Sequence, residues 1–407
     1  MKVVFLGNHN LSAWLLRREF FASMIHNGCE VIAILPNGEK TQALNNIGVE
    51  VRPIFVKRFI SPFLDICYLF KVYRLLKKIK PDVVFTNSIK PNTYGMIAAH
   101  WARVPQKVGG VAGIGRGFDP PKNWRDRIIN QAVLMLYKMG GKRTDMYWFQ
   151  NPDDLELFNH LKIVPPEKSL LVRGSGINTN DFSTNNIDEA AVQKLRDELK
   201  ISSDTVVITM IGRVNWLKGF GDFFESSRIA QTWDCNVCFL LVGARDPYIK
   251  ESVLKKMLKQ TSTFQWLGKR VDIKNILSLS DIVTLPSYYR EGVPRSLLEG
   301  MAMGKPIVTT DSPGCRETVE DGVNGYLVPP KNPAVLAATL KKLVDDKEKR
   351  LSFGKESLRK ATQEFSYYTV YRKILENMLR IKNPVIPIIK TSEDDNNIIF
   401  IDSEHPS

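Results

Sequence analysis

Two glutamates, Glu291 and Glu299, flank the start of a predicted helix in the second half of the chain. An apolar run at 282–285 predicts a strand before it. Pro294 lies where the helix would begin, since a proline at the first helical position loses no hydrogen bond. Gly304 then ends the helix. The N–H groups and the dipole at such a helix start favour an anion such as a phosphate.

This strand–helix unit predicts a ligand site. Open α/β sheets bind ligands at the carboxyl edge of their strands, where the helix would begin. Glu299 lies about five residues inside the helix, so it is roughly 7–8 Å further along the axis. A diphosphate there would have Glu291 on one side, facing a sugar hydroxyl, and Glu299 on the other, facing a ribose diol. The alternative is two solvated glutamates, the usual state of a charged side chain.

The two glutamates and the segment 301–306 (Met-Ala-Met-Gly-Lys-Pro) resemble the E-x7-E signature of glycosyltransferase family 4. The segments 311–317 and 321–328 are similar to the closing pattern of that family. The resemblance implies a retaining enzyme of the α/β GT-B fold, with two Rossmann-like doubly wound domains facing a cleft. It also implies a nucleotide-sugar donor. Gly300 stands where the family usually has alanine, and we expect no effect on the chemistry.

The resemblance also implies which residues hold the donor. Arg213 and Lys218 follow a predicted strand at 206–211 and are expected to bind the donor diphosphate. Two cations at a strand end would meet the charge that develops on the leaving nucleoside diphosphate. Together with Glu291 they are the expected catalytic residues. The other expected donor contacts are Gly7, Gly212, Gly268, Arg270, Gly292, Val293, Leu297, Leu298 and Glu299, with Gly268 and Arg270 in a loop at the nucleobase.

The sequence predicts no metal site and no cofactor. It contains no Asp-x-Asp triplet, the usual signature of a metal-dependent GT-A enzyme, and the two cations and the helix start can replace a metal. Cys235 and Cys238 form a single CxxC pair that runs into an apolar strand, so core packing is favoured over zinc. The five cysteines are scattered and imply no disulfide framework.

The length of 407 residues predicts two domains and an appendage. No run of 18 apolar residues occurs, so no transmembrane helix is expected. The N-terminus is too short for a signal peptide and is predicted to form the first strand. We therefore expect a cytoplasmic protein, peripheral on the inner face of the plasma membrane.

Positive charge is concentrated in the first part of the chain. The net charge is +12 for residues 1–176 and +2 for residues 177–407. The first part is therefore expected to meet an anionic partner. No nucleic-acid-binding motif occurs, so we favour anionic lipids of the inner membrane and a lipid-linked pyrophosphate over nucleic acid.

Short apolar runs alternate with helical patterns along the chain, which predicts two doubly wound domains. The predicted strands lie at 3–6, 31–34, 51–55, 83–85, 108–111, 146–149, 206–211, 238–242, 264–267, 282–285, 307–309 and 326–328. The predicted domains are an acceptor-binding and membrane-facing domain at 1–175 and a nucleotide-sugar-binding domain at 176–364. The resemblance implies a crossover helix at 365–385 that packs on the first domain. A polar, acidic end at 386–407 is predicted to be disordered.

Two segments of the first domain combine apolar and basic residues. They are 62–80 and 122–138, and the second begins with Trp124 between cations. Interfacial amphipathic helices have this composition. The alternative is that both are ordinary helices packed on the core, with a solvated basic side.

Loops after strands of the first domain are the candidates for contacts with the acceptor. The segment 86–95 resembles that of bacterial family 4 enzymes that build lipid-linked glycans, which implies acceptor contacts by Asn92 and Thr93. Gly115 and Arg116, in a glycine-rich segment, are expected to join them. His9, in the loop after the first strand, is a weaker candidate, since loop histidines are usually just exposed.

Together with these observations, the resemblance implies a retaining glycosyltransferase that uses UDP as the donor nucleotide. It would transfer a hexose or N-acetylhexosamine from a UDP-sugar to a polyprenyl-diphosphate-linked saccharide, in O-antigen, capsule or glycoprotein-glycan assembly. One alternative is a sugar-nucleotide epimerase of the same fold, against which the E-x7-E context argues. Another is a catalytically silent, sugar-nucleotide-binding partner subunit, against which the intact Arg213, Lys218, Glu291 and Glu299 argue.

Overall fold

The computed structural model describes residues 1–57, 61–114, 118, 123–391 and 398–401. The chain divides into two compact units, one made of Met1–Gly176 with Tyr367–Ser407 and the other of Ile177–Ser366. Each unit has its own parallel sheet with helices between successive strands. The predicted α/β class is therefore confirmed.

The strands of the first unit are β1 (Lys2–Leu6), β2 (Glu30–Leu35), β3 (Glu50–Pro53), β4 (Val83–Asn87), β5 (Gln106–Val111), β6 (Met146–Phe149) and β7 (Ser169–Leu171). They pair in parallel in the order β3-β2-β1-β4-β5-β6-β7. Central strands such as β1 are continuous apolar runs because helices cover both faces of the sheet. Val3 of β1, for example, pairs with Val31 on one side and with Val83 on the other.

The helices between these strands are α1 (Asn10–His26), α2 (Thr41–Asn46), α3 (Pro62–Ile79), α4 (Met96–Trp101), α5 (Trp124–Gly141) and α6 (Pro152–His160). A single π-helical turn, Pro91–Gly95, precedes α4. Polar side chains cap several of these helices, as Asn123 does for α5 by accepting a hydrogen bond from the amide of Asp126.

The second unit has the strands β8 (Val206–Ile211), β9 (Val237–Val242), β10 (Phe264–Trp266), β11 (Ile282–Leu285), β12 (Ile307–Thr310) and β13 (Gly325–Val328). They pair in parallel in the order β10-β9-β8-β11-β12-β13. Its helices are α7 (Glu189–Glu198), α8 (Phe220–Ala230), α9 (Glu251–Leu258), α10 (Ile273–Leu279), α11 (Arg295–Ala302), α12 (Pro333–Val344) and α13 (Lys347–Lys360).

The chain returns to the first unit with α14 (Tyr367–Met378). The side-chain amide of Asn27, after α1, donates to the carbonyl of Val385 at 2.7 Å, and its oxygen accepts from the amide of Val385 at 3.0 Å. Two short strands follow, β14 (Ile388–Thr391) and β15 (Ile398–Ile401), which pair antiparallel. Both strands are rich in isoleucine, a β-branched residue that favours strands, and disorder of the segment 386–407 as a whole stays a prediction.

Helices α3, α4 and α5 lie on one face of the first sheet. Directly paired residues of parallel strands share a face, and the register joins Leu6, Thr86, Gly109 and Tyr147 across four strands. Leu6 packs with α3 and α4, and Tyr147 packs with α5. Phe5, which points the other way, packs with α1, α2 and α14.

Candidate functional site

The loops that follow β8 and β11 meet at the carboxyl edge of the second sheet. These two strands are neighbours, but the chain continues from β8 to β9 on one side and from β11 to β12 on the other. The strand order therefore reverses between them. Such a reversal opens a crevice at the carboxyl ends of the strands, where open α/β sheets bind ligands. The predicted residues Lys218 and Glu291 lie in these two loops.

Lys218 and Glu291 form an ion pair in this position. The Nζ atom of Lys218 lies 2.5 Å from Oε1 of Glu291, with 24% and 11% of the two side chains exposed. Lys218 ends a short 3-10 turn that Asn215 caps by accepting a hydrogen bond from Leu217 N at 2.8 Å. Gly219 follows with φ +80, and a Cβ there would lie 1.9 Å from the carbonyl oxygen of Pro286. Only glycine allows the two loops to approach so closely.

Glu291 is held from two further sides. The hydroxyl of Ser287 lies 3.1 Å from its Oε1. Gly314, with φ +80, packs directly on the backbone of 291–292, since a Cβ there would lie 1.4 Å from the carbonyl oxygen of Gly292. Cys315 is fully buried beside this turn. Burial, and after it the charge of Glu291, raises the pKa of the Cys315 thiol to about 12, so it stays neutral.

Helix α11 begins beside this ion pair. Its first residue is Arg295, one position later than predicted, and Pro294 precedes it with extended backbone. The first turn of a helix leaves N–H groups without intrahelical partners, so an anion can bind there. Nε of Arg295 lies 2.9 Å from Oε1 of Glu299, one turn further on. This pair, which was not predicted, fixes the carboxylate of Glu299 against the helix.

Three of the predicted donor contacts are core residues. The side chains of Leu297 and Leu298 are fully buried and that of Val293 is 5% exposed. The amides of Leu297 and Leu298 already donate to the carbonyl of Pro294 at 3.1 and 3.3 Å. The leucine side chains face the core, and the donor contact of these residues stays a prediction. Any contact with a donor would come from the backbone.

Arg213 lies in the same loop as Lys218. Its side chain is 45% exposed, and a guanidinium nitrogen lies 3.8 Å from Oδ2 of Asp246, which is buried. Asn215 donates to the same carboxylate oxygen at 2.8 Å. Asp246, after β9, thus connects Arg213 with the turn that carries Lys218. A Cβ at Gly212, which precedes Arg213, would make an ordinary van der Waals contact with the side chain of Leu285 at 3.7 Å.

The predicted nucleobase loop is braced by an ion-pair cluster. The guanidinium of Arg270 donates to both carboxylate oxygens of Asp272, at 2.8 and 2.6 Å, and lies 3.4 Å from Glu198 of α7. These bonds lower the pKa of Asp272 and raise that of Arg270. Gly268 has φ +68 and open space around it. The guanidinium of Arg270 therefore holds the loop, and its contact with a donor stays a prediction.

In the first unit, Gly7 lines a small cavity between the loops after β1 and β4, together with Asn8, His9, Asn87 and Ser88. The ring of His9 accepts a hydrogen bond from the amide of Ser12 at 3.3 Å and so caps α1. Ser88 has φ +85 and donates to Asn8 at 3.1 Å.

Asn92 and Thr93 are 1% exposed. Asn92 accepts from the hydroxyl of Thr86 at 2.5 Å and donates to the carbonyl of Gly110 at 2.8 Å, and Thr93 donates to the carbonyl of Ile89 at 2.9 Å. These bonds favour a structural role, and contact with an acceptor stays a prediction. Gly115 and Arg116 lie outside the described residues.

The chain matches two known protein families, one in each unit. Residues 191–360 match the family described as glycosyl transferases group 1, and residues 2–150 match the family described as glycosyl transferase 4-like. A Campylobacter jejuni protein, the N,N'-diacetylbacillosaminyl-diphospho-undecaprenol alpha-1,3-N-acetylgalactosaminyltransferase, is 28% identical over 385 residues, which are 93% of this chain and 100% of the relative. The UDP-Gal:alpha-D-GlcNAc-diphosphoundecaprenol alpha-1,3-galactosyltransferase of Escherichia coli is 30% identical over 316 residues, which are 73% and 76% of the two chains.

Solved structures show the same architecture. HepE from Anabaena, in complex with UDP, has a TM-score of 0.78 at 21% identity and covers 93% of this chain and 100% of its own. WaaG, a glycosyltransferase involved in lipopolysaccharide biosynthesis, has a TM-score of 0.70 at 16% identity and covers 93% and 99%. These likenesses concern the fold, and they confirm the predicted pair of Rossmann-like units of the GT-B class.

Proposed function

The chain belongs to the family of group 1 glycosyl transferases and is a glycosyltransferase, and we propose that it transfers a hexose or N-acetylhexosamine from a UDP-sugar to a polyprenyl-diphosphate-linked saccharide. The observation that carries the proposal is the Lys218–Glu291 ion pair beside the start of α11. It brings a cation and a carboxylate together beside the start of a helix. This place lies where the strand order of the second sheet reverses, between β8 and β11. The activities after which the C. jejuni and E. coli relatives are named support an undecaprenyl-diphosphate-linked acceptor, and the name of the E. coli relative supports UDP.

In this proposal the donor diphosphate lies at the first turn of α11. Arg213 and Lys218 bind it and stabilise the charge that develops as the bond between the sugar and the phosphate breaks. Glu291 faces the sugar, where it positions a hydroxyl and stabilises the positive charge of an oxocarbenium-like centre. Glu299 faces the ribose diol. The loop of Gly268 and Arg270 lies at the nucleobase, with contacts from its backbone.

Transfer then takes place on one face of the sugar. The bond between the anomeric carbon and the phosphate oxygen breaks, and its electron pair stays on the diphosphate. The acceptor oxygen forms its bond to the anomeric carbon on the same face and gives its proton to the departing phosphate oxygen. The configuration is retained, and no protein nucleophile is needed.

We place the enzyme on the cytoplasmic leaflet of the inner membrane, with the outer side of α3 and α5 as the docking surface. On α3, Phe63 is 77% exposed and Ile66 is 54% exposed; on α5, Trp124 is 67% exposed and Ile128 is 59% exposed. Single exposed apolar residues are ordinary, but a group on one face marks an interaction surface. Both helices cover the same face of the first sheet, so these side chains belong to one side of the unit.

Cations accompany the apolar side chains of the docking surface. Lys71, Arg74, Lys77 and Lys78 are exposed on α3. On α5, Arg125 is exposed and its guanidinium lies 5.3 Å from the ring centroid of Trp124. Each such cation adds about 1 kcal/mol of attraction to an anionic leaflet. In the described part of the chain no helix combines the length and the apolar composition that a membrane crossing requires.

The proposed function is tested with the purified protein, a set of UDP-sugars and a short polyprenyl-diphosphate-linked saccharide. We expect UDP to be released only when the acceptor is present, and the new linkage to keep the anomeric configuration of the donor. Conversion of the UDP-sugar without acceptor would indicate the epimerase instead. Absence of product in a single turnover, with UDP bound, would indicate the silent subunit.

A further inference from the structure

Ser287 is the fully buried residue at the centre of the contacts around Glu291. It lies two positions after the end of β11, and its amide donates to the carbonyl of Leu285 at 2.8 Å. Its carbonyl accepts a hydrogen bond from the hydroxyl of Thr310, at the end of the neighbouring β12. The backbone of Ser287 is thus bound to two adjacent strands, which gives its hydroxyl a fixed position at the sheet edge.

The hydroxyl of Ser287 has two acceptors within reach but one proton to donate. Its oxygen lies 3.1 Å from Oε1 of Glu291 and 3.2 Å from the carbonyl oxygen of Leu217. That carbonyl already accepts from the amides of Tyr288 and Tyr289, at 3.0 and 3.1 Å. A hydrogen bond to a charged acceptor is roughly twice as strong as one to a neutral acceptor. The proton is therefore donated to the carboxylate.

Two groups of different chemistry thus meet the same oxygen of Glu291. One is the ammonium of Lys218 and the other is the hydroxyl of Ser287. In the proposed function Lys218 binds the donor diphosphate, which draws its charge away from the carboxylate. The Ser287 hydroxyl is neutral, so the phosphate does not attract it in this way, and it remains hydrogen bonded to Glu291.

We propose that Ser287 is a positioning residue that holds the carboxylate of Glu291 towards the sugar after Lys218 has engaged the diphosphate. This inference rests on the proposed role of Glu291 and deepens it. Ser287 acts on the transition state through Glu291. Its loss should therefore lower kcat and leave UDP binding unchanged.

The test compares Ser287→Ala with Ser280→Ala. Ser280 is also buried and hydrogen bonded, to Thr209 and to the carbonyl of Ile276, but it lies at the opposite end of β11. We expect Ser287→Ala to lower kcat by about 10- to 100-fold, the loss expected for one hydrogen bond to a charged group. Ser280→Ala should keep the kcat of the wild type. UDP affinity should stay within about twofold of the wild type in both, and their melting temperatures should fall by similar amounts.

Two further variants make the result specific. Ser287→Cys, whose thiol is a weaker donor, should have an intermediate kcat. In a Glu291→Gln background, Ser287→Ala should lower kcat only slightly further, because the two residues act as one unit. Equal kcat in Ser287→Ala and Ser280→Ala, or a full additional loss in the Glu291→Gln background, would overturn the proposal. Near-normal turnover of Glu291→Gln alone would instead overturn the proposed role of Glu291, and this inference with it.

Discussion

The ammonium of Lys218 lies 2.5 Å from the carboxylate of Glu291, so two residues with separate proposed tasks neutralise each other when no donor is bound. The pair is partly buried, and charges that are removed from water are stable only when they are paired. A diphosphate that binds to Lys218 must therefore compete with Glu291. In the proposed function, donor binding therefore rearranges an existing ion pair, and the carboxylate becomes available to the sugar in the same step.

Replacement of Glu291 by glutamine should lower kcat by at least about a hundredfold, which is roughly 2.7 kcal/mol of transition-state stabilisation. The physical reason is the loss of a negative charge where positive charge develops on the sugar. Steady-state kinetics with saturating donor measures this effect. Glu299→Ala should mainly raise the KM for the donor. Glu320→Gln, at an exposed position of the same unit, is the control. Near-normal kinetics in both site variants would contradict the assignment.

Replacement of Arg213 or Lys218 by alanine should weaken UDP binding by about 10- to 100-fold, the effect expected for one charge-assisted hydrogen bond. Calorimetric titration with UDP measures it. Arg228→Ala is the matched control, since Arg228 is an exposed arginine near the end of α8 that pairs with Glu225. We also expect activity to be unchanged by EDTA. Loss of activity in EDTA and recovery with Mn²⁺ would show that Arg213 and Lys218 do not replace a metal ion.

Charge reversal on α5 should release the protein from anionic vesicles. Arg125→Glu with Arg127→Glu is expected to weaken binding by at least about tenfold at low salt, because each cation contributes about 1 kcal/mol. High salt should reduce this part of the binding in the wild type. Vesicle flotation measures it, and turnover on a short water-soluble acceptor should be spared.

The control for this experiment is Lys373→Glu with Lys382→Glu. Both lysines are exposed, and they lie in or just after α14, on the opposite face of the first sheet. The change in net charge is the same in both double variants. A difference in their binding to vesicles therefore shows the effect of where the charges lie. If the Arg125 and Arg127 variant floats as well as the control, the docking surface lies elsewhere.

Lys305, which follows α11, should give the protein a measurable pH dependence of stability. Burial lowers its pKa below the ordinary value of 10.5, and Asp281 counteracts this only in part. Between the lowered pKa and 10.5 the unfolded chain binds the proton and the folded chain does not, so the free energy of unfolding rises with pH. The free energy of unfolding of the wild type should therefore rise relative to that of Lys305→Met as the pH increases towards 10.5. Urea unfolding measures it, with Lys194→Met, at an exposed position, as control. A pH-independent difference would contradict this account.

Much of the second sheet could be predicted from the sequence. Strands β8, β9 and β11 are apolar runs of four to six residues followed by polar turns, a pattern with few other interpretations. The short strand β7 and the helix α13 were not predicted. The fourteen residues of α13 include eight charged ones, so its helical periodicity is weak in the sequence.

Side-chain direction could not be predicted in the same way. Leu297 and Leu298 lie in the predicted helix but face the core, and Arg270 lies in the predicted loop but pairs with Asp272. A motif fixes which residues are close along the chain. Their orientation is decided by contacts with elements far away in the sequence. Gly300 is a related case, because a Cβ there would lie 3.0 Å from three atoms of Val283, so the glycine fits the contact between α11 and β11.

Asp246 and Ser287 were missed altogether, although a signal for them exists. Each is a polar residue a few positions after a buried strand, as Lys218 and Glu291 are. Their roles would still have required the structure, since Asp246 contacts Arg213 of another loop and the orientation of the Ser287 hydroxyl towards Glu291 depends on how their shared loop folds.

The return of the chain to the first unit has a consequence for synthesis of the protein. The second unit is one continuous stretch of 190 residues, but the first is completed only when α14 has been made. Until then, Phe20 and the apolar face around it lack the ring of Tyr371, which lies 5.3 Å away in the folded chain, and Asn27 lacks Val385. At 5–20 residues per second, a ribosome needs about 10–40 s for the intervening unit. For that time the nascent chain presents an uncovered apolar surface to chaperones, while the second unit can already fold behind it.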